Sequence, residues 1–438
     1  MRWGVLLGLA ACSAPKATVT DASPDAIAWP RCDGDPRATP ETLAQKAAAY
    51  DARVLGLHVH PQMPWVLDVT VRDGVDPETA TVADVVAWRT GENDGLWSSL
   101  VLAAEAYRFA ATHDPAARTA LAMLLHGEQL RMQITGVPGL FVRQLIPPGV
   151  PGIACPTDEA SYAPSPDKTS NVWVHGTGAF AGWCFKDNVS QDEYVGHIFA
   201  LGAVVRLVDD AELRGEAADL LAQIGHHLVD HQMRFVDWDG RPTQWGQVYP
   251  GAPGGDSPGY LAVLGASFLG TAAMADPSLA DAYAHLGYAS YRDQIALWSG
   301  GDNCASNWND ISMLAASFHD VIAADAGARA TWQAGFGRAL TGMPKGILDE
   351  HNAWYDLLWA ESTPDPTVVG DAVCALREFP RSNHVVARAP SAPAACSGRH
   401  DEPMAAAPLS IGERCAATYA WWGNPYELAS CRDAPTLV

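Results

Sequence analysis

Carboxylates recur at the starts of the apolar, helix-like stretches of this 438-residue chain: Asp94, the pair Asp192 and Glu193, Asp256, Asp310, and the pair Asp349 and Glu350. Hydrolysis of a glycosidic bond with inversion needs a protonated carboxyl on one side of the sugar and a carboxylate that activates water on the other, about 6.5–9.5 Å apart. If the helices run parallel, their starts meet at one mouth, and acids from two of them can supply that pair. Asp94, Asp192, Glu193 and Asp310 are therefore the candidate catalytic residues. The competing reading is structural, because an acid at a helix start also serves as an N-cap and favours the helix dipole. One cap uses one acid, so the adjacent Asp192 and Glu193 exceed that need. His197 follows Glu193 by four residues and shares its helix face. It is placed either to hold Glu193 and tune its acidity or simply to pack in the core.

A second constellation is His351, Asn352 and Tyr355 at a later helix start, with Arg143. Asn and Arg offset a uronate charge, and His or Tyr moves a proton, which is the equipment of a polysaccharide lyase. Trp173 and Trp245 lie in insertions and are candidates for stacking on a sugar ring, or for covering the core. His227 and His231 have the i,i+4 spacing of metal ligands, but lie on or beside an apolar stripe and read as packed histidines; His58 and His60 read as a surface pair. No metal or cofactor is expected. The chain has no nucleophile-elbow, phosphate-loop, dinucleotide or HExxH pattern, which argues against serine hydrolases, kinases, dehydrogenases and zincin proteases.

The elements that must position these residues are helices. The stretch Asn188–Asp210 is apolar almost all round after its polar start, the mark of a fully buried helix. It is followed by the amphipathic Ala211–Phe235. The same pairing is read at Gly95–Thr112 with Ala116–Ile134, Gly259–Met274 with Ser278–Trp298, and Trp308–Ala323 with Ala326–Leu340, and a fifth buried start spans Asp349–Trp359. A helix from Pro40 or Glu41 to Val54 adds a further partner. Buried and amphipathic helices alternating at a period of about 50 residues predict an all-α array of hairpins, an (α/α) toroid with an inner and an outer ring. Two long insertions interrupt it. Residues 135–187 are rich in Gly and Pro and too long for an ordinary loop. Asp239-Gly240, between Val236–Trp238 and Thr243–Trp245, predicts a tight β-hairpin. A short strand is expected over Trp65–Val71, and the tail 361–438 reads as a loop-rich wrap, so that 41–438 forms one domain.

A net charge of −22 makes nucleic acid and anionic membrane surfaces poor partners. Residues 1–12 read as a bacterial lipoprotein signal: Arg2, an apolar run too short to span a bilayer, and Leu9-Ala10-Ala11-Cys12 in the form of a lipobox, with Cys12 lipidated. Residues 13–40 then form a flexible tether. The expected place is the cell envelope, outside the cytoplasm, with Ser13 leaning towards the outer membrane; the lipid anchor is the only membrane contact, and the protein is expected as a monomer. Eight further cysteines point to disulfides, and Cys155 with Cys184, tying one long loop, is the pairing expected.

The segments TGENDGLWSSLVLAAEAYRFAATHDP, TGVPGLFVR, NVSQDEYVGHIFAL and DWDGRPTQWG, with ALREFPR and YAWWGNPYEL later in the chain, resemble an uncharacterised group of bacterial extracellular proteins in the six-hairpin (α/α) toroid superfamily. The resemblance covers most of residues 85–430. It departs from the pattern where Phe185-Lys186-Asp187-Asn188 stands in place of Arg-Gly-Asp-Thr. The superfamily holds glycoside hydrolases, polysaccharide lyases and non-catalytic members, so the resemblance implies an architecture, and carbohydrate chemistry by analogy. Three functions follow as expectations: an inverting glycoside hydrolase, a lyase, and a non-catalytic surface protein that binds glycan or protein.

Overall fold

The computed structural model describes residues 42–76, 79–249, 258–285, 308–341, 352–363 and 367–378. The segments read as a signal and a tether, most of the tail, and the candidates Asp256, Asp349, Glu350 and His351 lie outside them. Helices dominate: α1 (Leu43–Arg53), α2 (Asp94–Thr112), α3 (Pro115–Gln133), α4 (Gln191–Leu207), α5 (Ala211–Asp230), α6 (Pro258–Ala275), α7 (Ala280–His285), α8 (Trp308–Ala324), α9 (Arg329–Thr341), α10 (Ala353–Ser362) and α11 (Thr367–Glu378).

The helices form the (α/α) toroid that the alternation predicts. Five hairpins, α2–α3, α4–α5, α6–α7, α8–α9 and α10–α11, each pair an inner helix with an outer one, and the inner helices pack on one another in chain order. Burial follows the sequence pattern. In α4, Glu193 to Val204 are buried without a break, whereas α5 buries one stripe that includes Leu213, Leu220, Leu221, Ile224 and Leu228. The outer helices are conventionally capped: Asp114 accepts from the Ala116 amide ahead of α3, and Asp210 accepts from the Glu212 and Leu213 amides ahead of α5.

The ends of the array are joined. Lys46 of α1 donates to the carbonyls of Leu376 (3.0 Å) and Arg377 (2.7 Å) in the last turn of α11, and Asp51 of α1 pairs with Arg108 of α2 at 3.4 Å. At the end of the inner ring opposite the starts of α2 and α4, the Tyr107 hydroxyl of α2 donates to Glu361 of α10 at 2.7 Å. Glu361 also pairs with His319 of α8 at 3.1 Å, and Asp320 accepts from Arg206 of α4 at 3.2 Å. Burial disfavours the charge on Glu361, but His319, Tyr107 and Arg206 outweigh it and hold its pKa at about 2.

The insertions are ordered. The loop expected over 135–187 contains a three-stranded antiparallel sheet in the order β3 (Gln144–Ile146), β5 (Cys184–Lys186), β4 (Trp173–His175), and the expected disulfide joins Cys155 to Cys184. This sheet shares a satellite core with β1 (Asp68–Val71) and β2 (Val85–Arg89), built on Trp65, Leu67, Trp88, Leu145 and Phe185. The expected hairpin is present as β6 (Arg234–Val236) and β7 (Pro242–Gln247). It shortens the helix read as running to Phe235: α5 stops at Asp230 because the chain turns there to enter β6. α11 occupies part of the tail read as loop-rich; its short apolar stripe, with Ala372 and Ala375 buried, was too brief to register as periodic.

A buried ionic knot fastens the two insertions to the toroid. The Lys168 ammonium lies 2.7 Å from Asp187, 2.9 Å from Asp237 and 3.2 Å from Asp239. Asn188, in the left-handed region at φ 61°, donates its amide to Asp237 (2.7 Å) and accepts from the Gln244 amide (2.7 Å). The departure at 185–188 is thus structural: Phe185 fills the satellite core and Asp187 and Asn188 complete the knot. Lys168 is 4% exposed, so Lys168→Met leaves the buried Asp187 and Asp237 without their counter-charge, while Asp239 keeps Arg241 at 2.6 Å. We expect it to cost about 3–5 kcal/mol in urea unfolding.

Candidate functional site

The starts of α2 and α4 are brought together by two glycines. A Cβ on Gly196 of α4 would lie 2.9 Å from the Cα of Leu96 in α2; one on Gly95 of α2 would lie 2.8 Å from Nε2 of His197 and 3.3 Å from Oε1 of Glu193. With no side chains at these points the helices approach closely, and Asp94, Glu193 and His197 meet at the contact.

The acids here are not caps. The residues preceding the two helices, Asn93 and Ser190, make no side-chain capping bond. Asp94 Oδ1 instead accepts from the Gly91 amide at 2.7 Å, and its Oδ2 has no hydrogen-bond partner. Glu193 has none on either oxygen and is 0% exposed. Asp192, next in the chain, is half-buried. It accepts from the Asn93 side-chain amide at 2.8 Å and from the Ser190 hydroxyl. Arg143 in turn donates to Asn93 Oδ1 (2.8 Å), and to the carbonyls of Glu92 (3.0 Å) and Asn188 (2.8 Å). Arg143 therefore braces the starts of both helices and, through Asn93, positions Asp192.

Removal from water is the dominant influence on these carboxyls. Burial pushes Asp94 up to about 8, against the opposing pull of Arg131 and the Gly91 amide. It pushes Glu193 well above the usual carboxylate range, with Arg143 opposing, Asp192 reinforcing and Arg131 opposing. At neutral pH the mouth thus combines neutral, protonated carboxyls with the partly exposed Asp192. This is the division of labour that acid–base chemistry uses.

Sequence reading missed the second layer. His197 Nδ1 is paired with the carboxylate of Glu128 from the outer helix α3 and lies 2.9 Å from the Ser99 hydroxyl. Its ring stacks on Phe141, with centroids 4.0 Å apart. Arg131, one turn after Glu128, is fully buried beneath Trp65, with Nε and Nη2 unpartnered. The signal was present: Glu128 falls within the inward stripe of Leu121, Leu124, Leu125 and Met132, where a carboxylate has no solvent to serve.

The remaining candidates are dispersed. Asp310 is buried in the first turn of α8. Asn352 caps α10 by accepting from the Trp354 amide at 3.0 Å, and the Tyr355 hydroxyl is buried 2.9 Å from that of Ser312. Trp173 is half-buried on β4, while Trp245 on β7 is 51% exposed, next to Gln244, whose amide binds Asn188 just ahead of α4. His227 is held by the Pro138 carbonyl and the Val236 amide, His231 by the His227 carbonyl, and His226 by Asp276. Among the described residues no group of three His, Cys, Asp or Glu is arranged to hold a metal ion, and no helix is long and apolar enough to cross a membrane.

No known family model matches the chain, and no curated protein matches it. Among solved structures it is similar to the crystal structure of a metagenome-derived glycoside hydrolase family 9 endoglucanase, at 12% identity and a TM-score of 0.37, over 76% of this chain. The chain spans 63% of that protein, less than two thirds of its length. A likeness of that degree decides neither substrate nor mechanism.

The raised pKa of Asp94 has a stability consequence. Below about pH 3.8 the folded and unfolded chains both keep this proton. Between there and about pH 8 the unfolded chain releases it while the folded chain does not, so the contribution of Asp94 to stability falls as pH rises. Asp94→Asn keeps the acceptor for Gly91 and cannot ionise. Thermal melts from pH 4 to 9 are expected to show a shallower loss of Tm in the variant, with its advantage over wild type largest above pH 8.

Proposed function

We propose that this chain is a glycoside hydrolase-like enzyme whose reacting groups sit where α2 and α4 begin. The observation that carries the reading is a pair of protonated carboxyls, Asp94 and Glu193, beside a partly exposed carboxylate, Asp192, that is held in place by Asn93 and Arg143. In this reading Asp192 is the base that activates water, and Asp94 is the acid that protonates the leaving oxygen, giving inversion at the anomeric carbon. Trp245 offers a flat apolar face to a neighbouring sugar, and Asp310 sits in the first turn of α8, the fourth inner helix. The substrate is a neutral or cationic glycan, because an acidic mouth on a chain of net charge −22 disfavours a uronate polymer.

One observation favours a second reading, a non-catalytic protein that binds glycan or another protein. Asp94 and Glu193 are 3% and 0% exposed, so a sugar reaches them only if the side chains over the mouth move. We further propose that Cys12 carries a lipid that tethers a monomeric toroid on the outer side of a bacterial membrane, through the linker 13–40. The apolar run ahead of Cys12 and the composition of the linker support this.

Screening a panel of neutral oligosaccharides for reducing ends, with the anomer of the fresh product read by NMR, tests the enzyme. Release of an inverted sugar, lost by a factor of about 100 or more in Asp192→Asn and unaffected in the distant His226→Gln, is expected. Glycan binding with no turnover transfers the assignment to the binding protein. Expressed in a bacterium with its signal, the protein is expected in the membrane fraction with acyl chains on Cys12. Recovery of Cys12→Ala in the same fraction would overturn the anchor.

A further inference from the structure

The second layer behind the mouth has no role in capping or solubility. Glu128 is 1% exposed in the wall between the outer and inner rings. Its Oε2 meets His197 Nδ1, and its Oε1 lies 3.3 Å from Ser99 Oγ. Ser99 is itself committed, donating to the Gly95 carbonyl at 2.8 Å. His197 Nδ1 thus faces a carboxylate and a hydroxyl that donates elsewhere. Both are acceptors from its side, so the ring must carry its proton on Nδ1.

That leaves Nε2 as a bare acceptor whenever the ring is neutral. Nε2 has no hydrogen-bond partner, nor has either oxygen of Glu193, and both residues are 0% exposed. The two groups converge. Glu193 and His197 are one helical turn apart on α4, and the position that a Cβ on Gly95 would take lies 2.8 Å from Nε2 and 3.3 Å from Glu193 Oε1. A buried neutral carboxyl has one proton to donate, and the buried imidazole has one lone pair to receive it. Each supplies what the other lacks, through one enclosed water.

We propose that Glu128 and His197 are positioning residues that decide where the proton of the α2–α4 acid cluster resides: Glu128 fixes His197 as the Nδ1–H tautomer, and Nε2 shares a single proton with Glu193. When the proton moves, the Glu193 O–H bond breaks, the bridging water takes that proton and passes one of its own to Nε2, and an Nε2–H bond forms. Glu193 becomes a carboxylate, the imidazolium sits between two carboxylates, and no charge is created overall. The other charged groups facing this pair are Arg131 from α3, Arg143 from the segment entering β3, Asp94 from α2 and Asp192 from α4. The two arginines favour the ionised Glu193, and the two aspartates oppose it. The stack of His197 on Phe141 and the edge of Tyr194, 5.9 Å away, hold the plane of the imidazole. Functionally the pair is a buried proton store behind Asp94, and in that respect the proposal rests on reading the mouth as an acid–base site.

The test is nitrogen NMR on the full chain labelled at its histidines, with His197 identified by the signal missing in His197→Gln. In wild type the His197 Nδ1 is expected to be protonated and Nε2 to resonate as an unprotonated, hydrogen-bonded nitrogen at neutral pH. Glu193→Gln, which cannot give up its proton, is expected to move the His197 titration midpoint by about one unit or more, and Glu128→Gln to release the ring to the Nε2–H tautomer. An Nε2–H tautomer in wild type overturns the proposal without any variant having to fold. So does a His197 titration indifferent to Glu193→Gln. Loss of the hydrolase reading is a separate result: a chain that cleaves no glycan but shows the shared proton refutes the enzyme and leaves the pair standing.

Discussion

The approach of α2 to α4 through Gly95 and Gly196 is the constraint on which the rest of the site depends. A Cβ at Gly196 would meet the backbone of Leu96, and one at Gly95 would meet the imidazole and carboxyl of the facing helix. Because the helices touch at backbone distance, bulk water is shut out from between their starts, and the acids carried there are removed from solvent together. Desolvation then does what neighbouring charge does not: with Arg131 and Arg143 both pulling the other way, Asp94 and Glu193 remain hard to ionise. Closeness at the seam, exclusion of water and protonation at neutral pH are successive results of two missing side chains.

The contrast between the rings sharpens this. The starts of α3 and α5 use their aspartates in the ordinary way, as acceptors for first-turn amides. The starts of α2 and α4 leave their first-turn amides without side-chain caps while holding acids within reach. Forgoing a cap costs about 1 kcal/mol per helix, and an unpartnered buried carboxyl costs more. Stability is therefore given up at one end of the inner ring. The compensation is found elsewhere, in the continuous apolar interior of α4 and α6 and in the Lys168 knot.

The architecture was legible because it rests on periodicity. An all-round apolar stretch followed by a one-sided stripe, repeated down the chain, specifies inner and outer helices without further information. The hairpin at Asp239-Gly240 and the Cys155–Cys184 bond were legible for equally local reasons. The sheet within 135–187 was not, since three-residue strands are too short to show alternation and their pairing is set by the satellite core under Trp65 and Trp88. At the site, the convergence of Asp94, Asp192, Glu193 and His197 followed from placing helix starts at one mouth. Glu128, Arg131 and the bracing by Arg143 did not follow, because each lies on a different element and is recruited by tertiary packing alone. The glycines at 95 and 196 each looked like an ordinary small residue in a buried helix, and only their mutual registration reveals what they do.

The clasp of Lys46 on the final turn of α11 joins residues 330 and 331 positions apart. During synthesis α1 can therefore pair early with α2, through Asp51 and Arg108, but its clasp on α11 waits until almost all the described helices have been made. Its two carbonyl partners are among the last described residues to leave the ribosome. Contacts of such long range are entropically costly to form and are slow. Ring closure is therefore a late event that follows the local pairing of the hairpins.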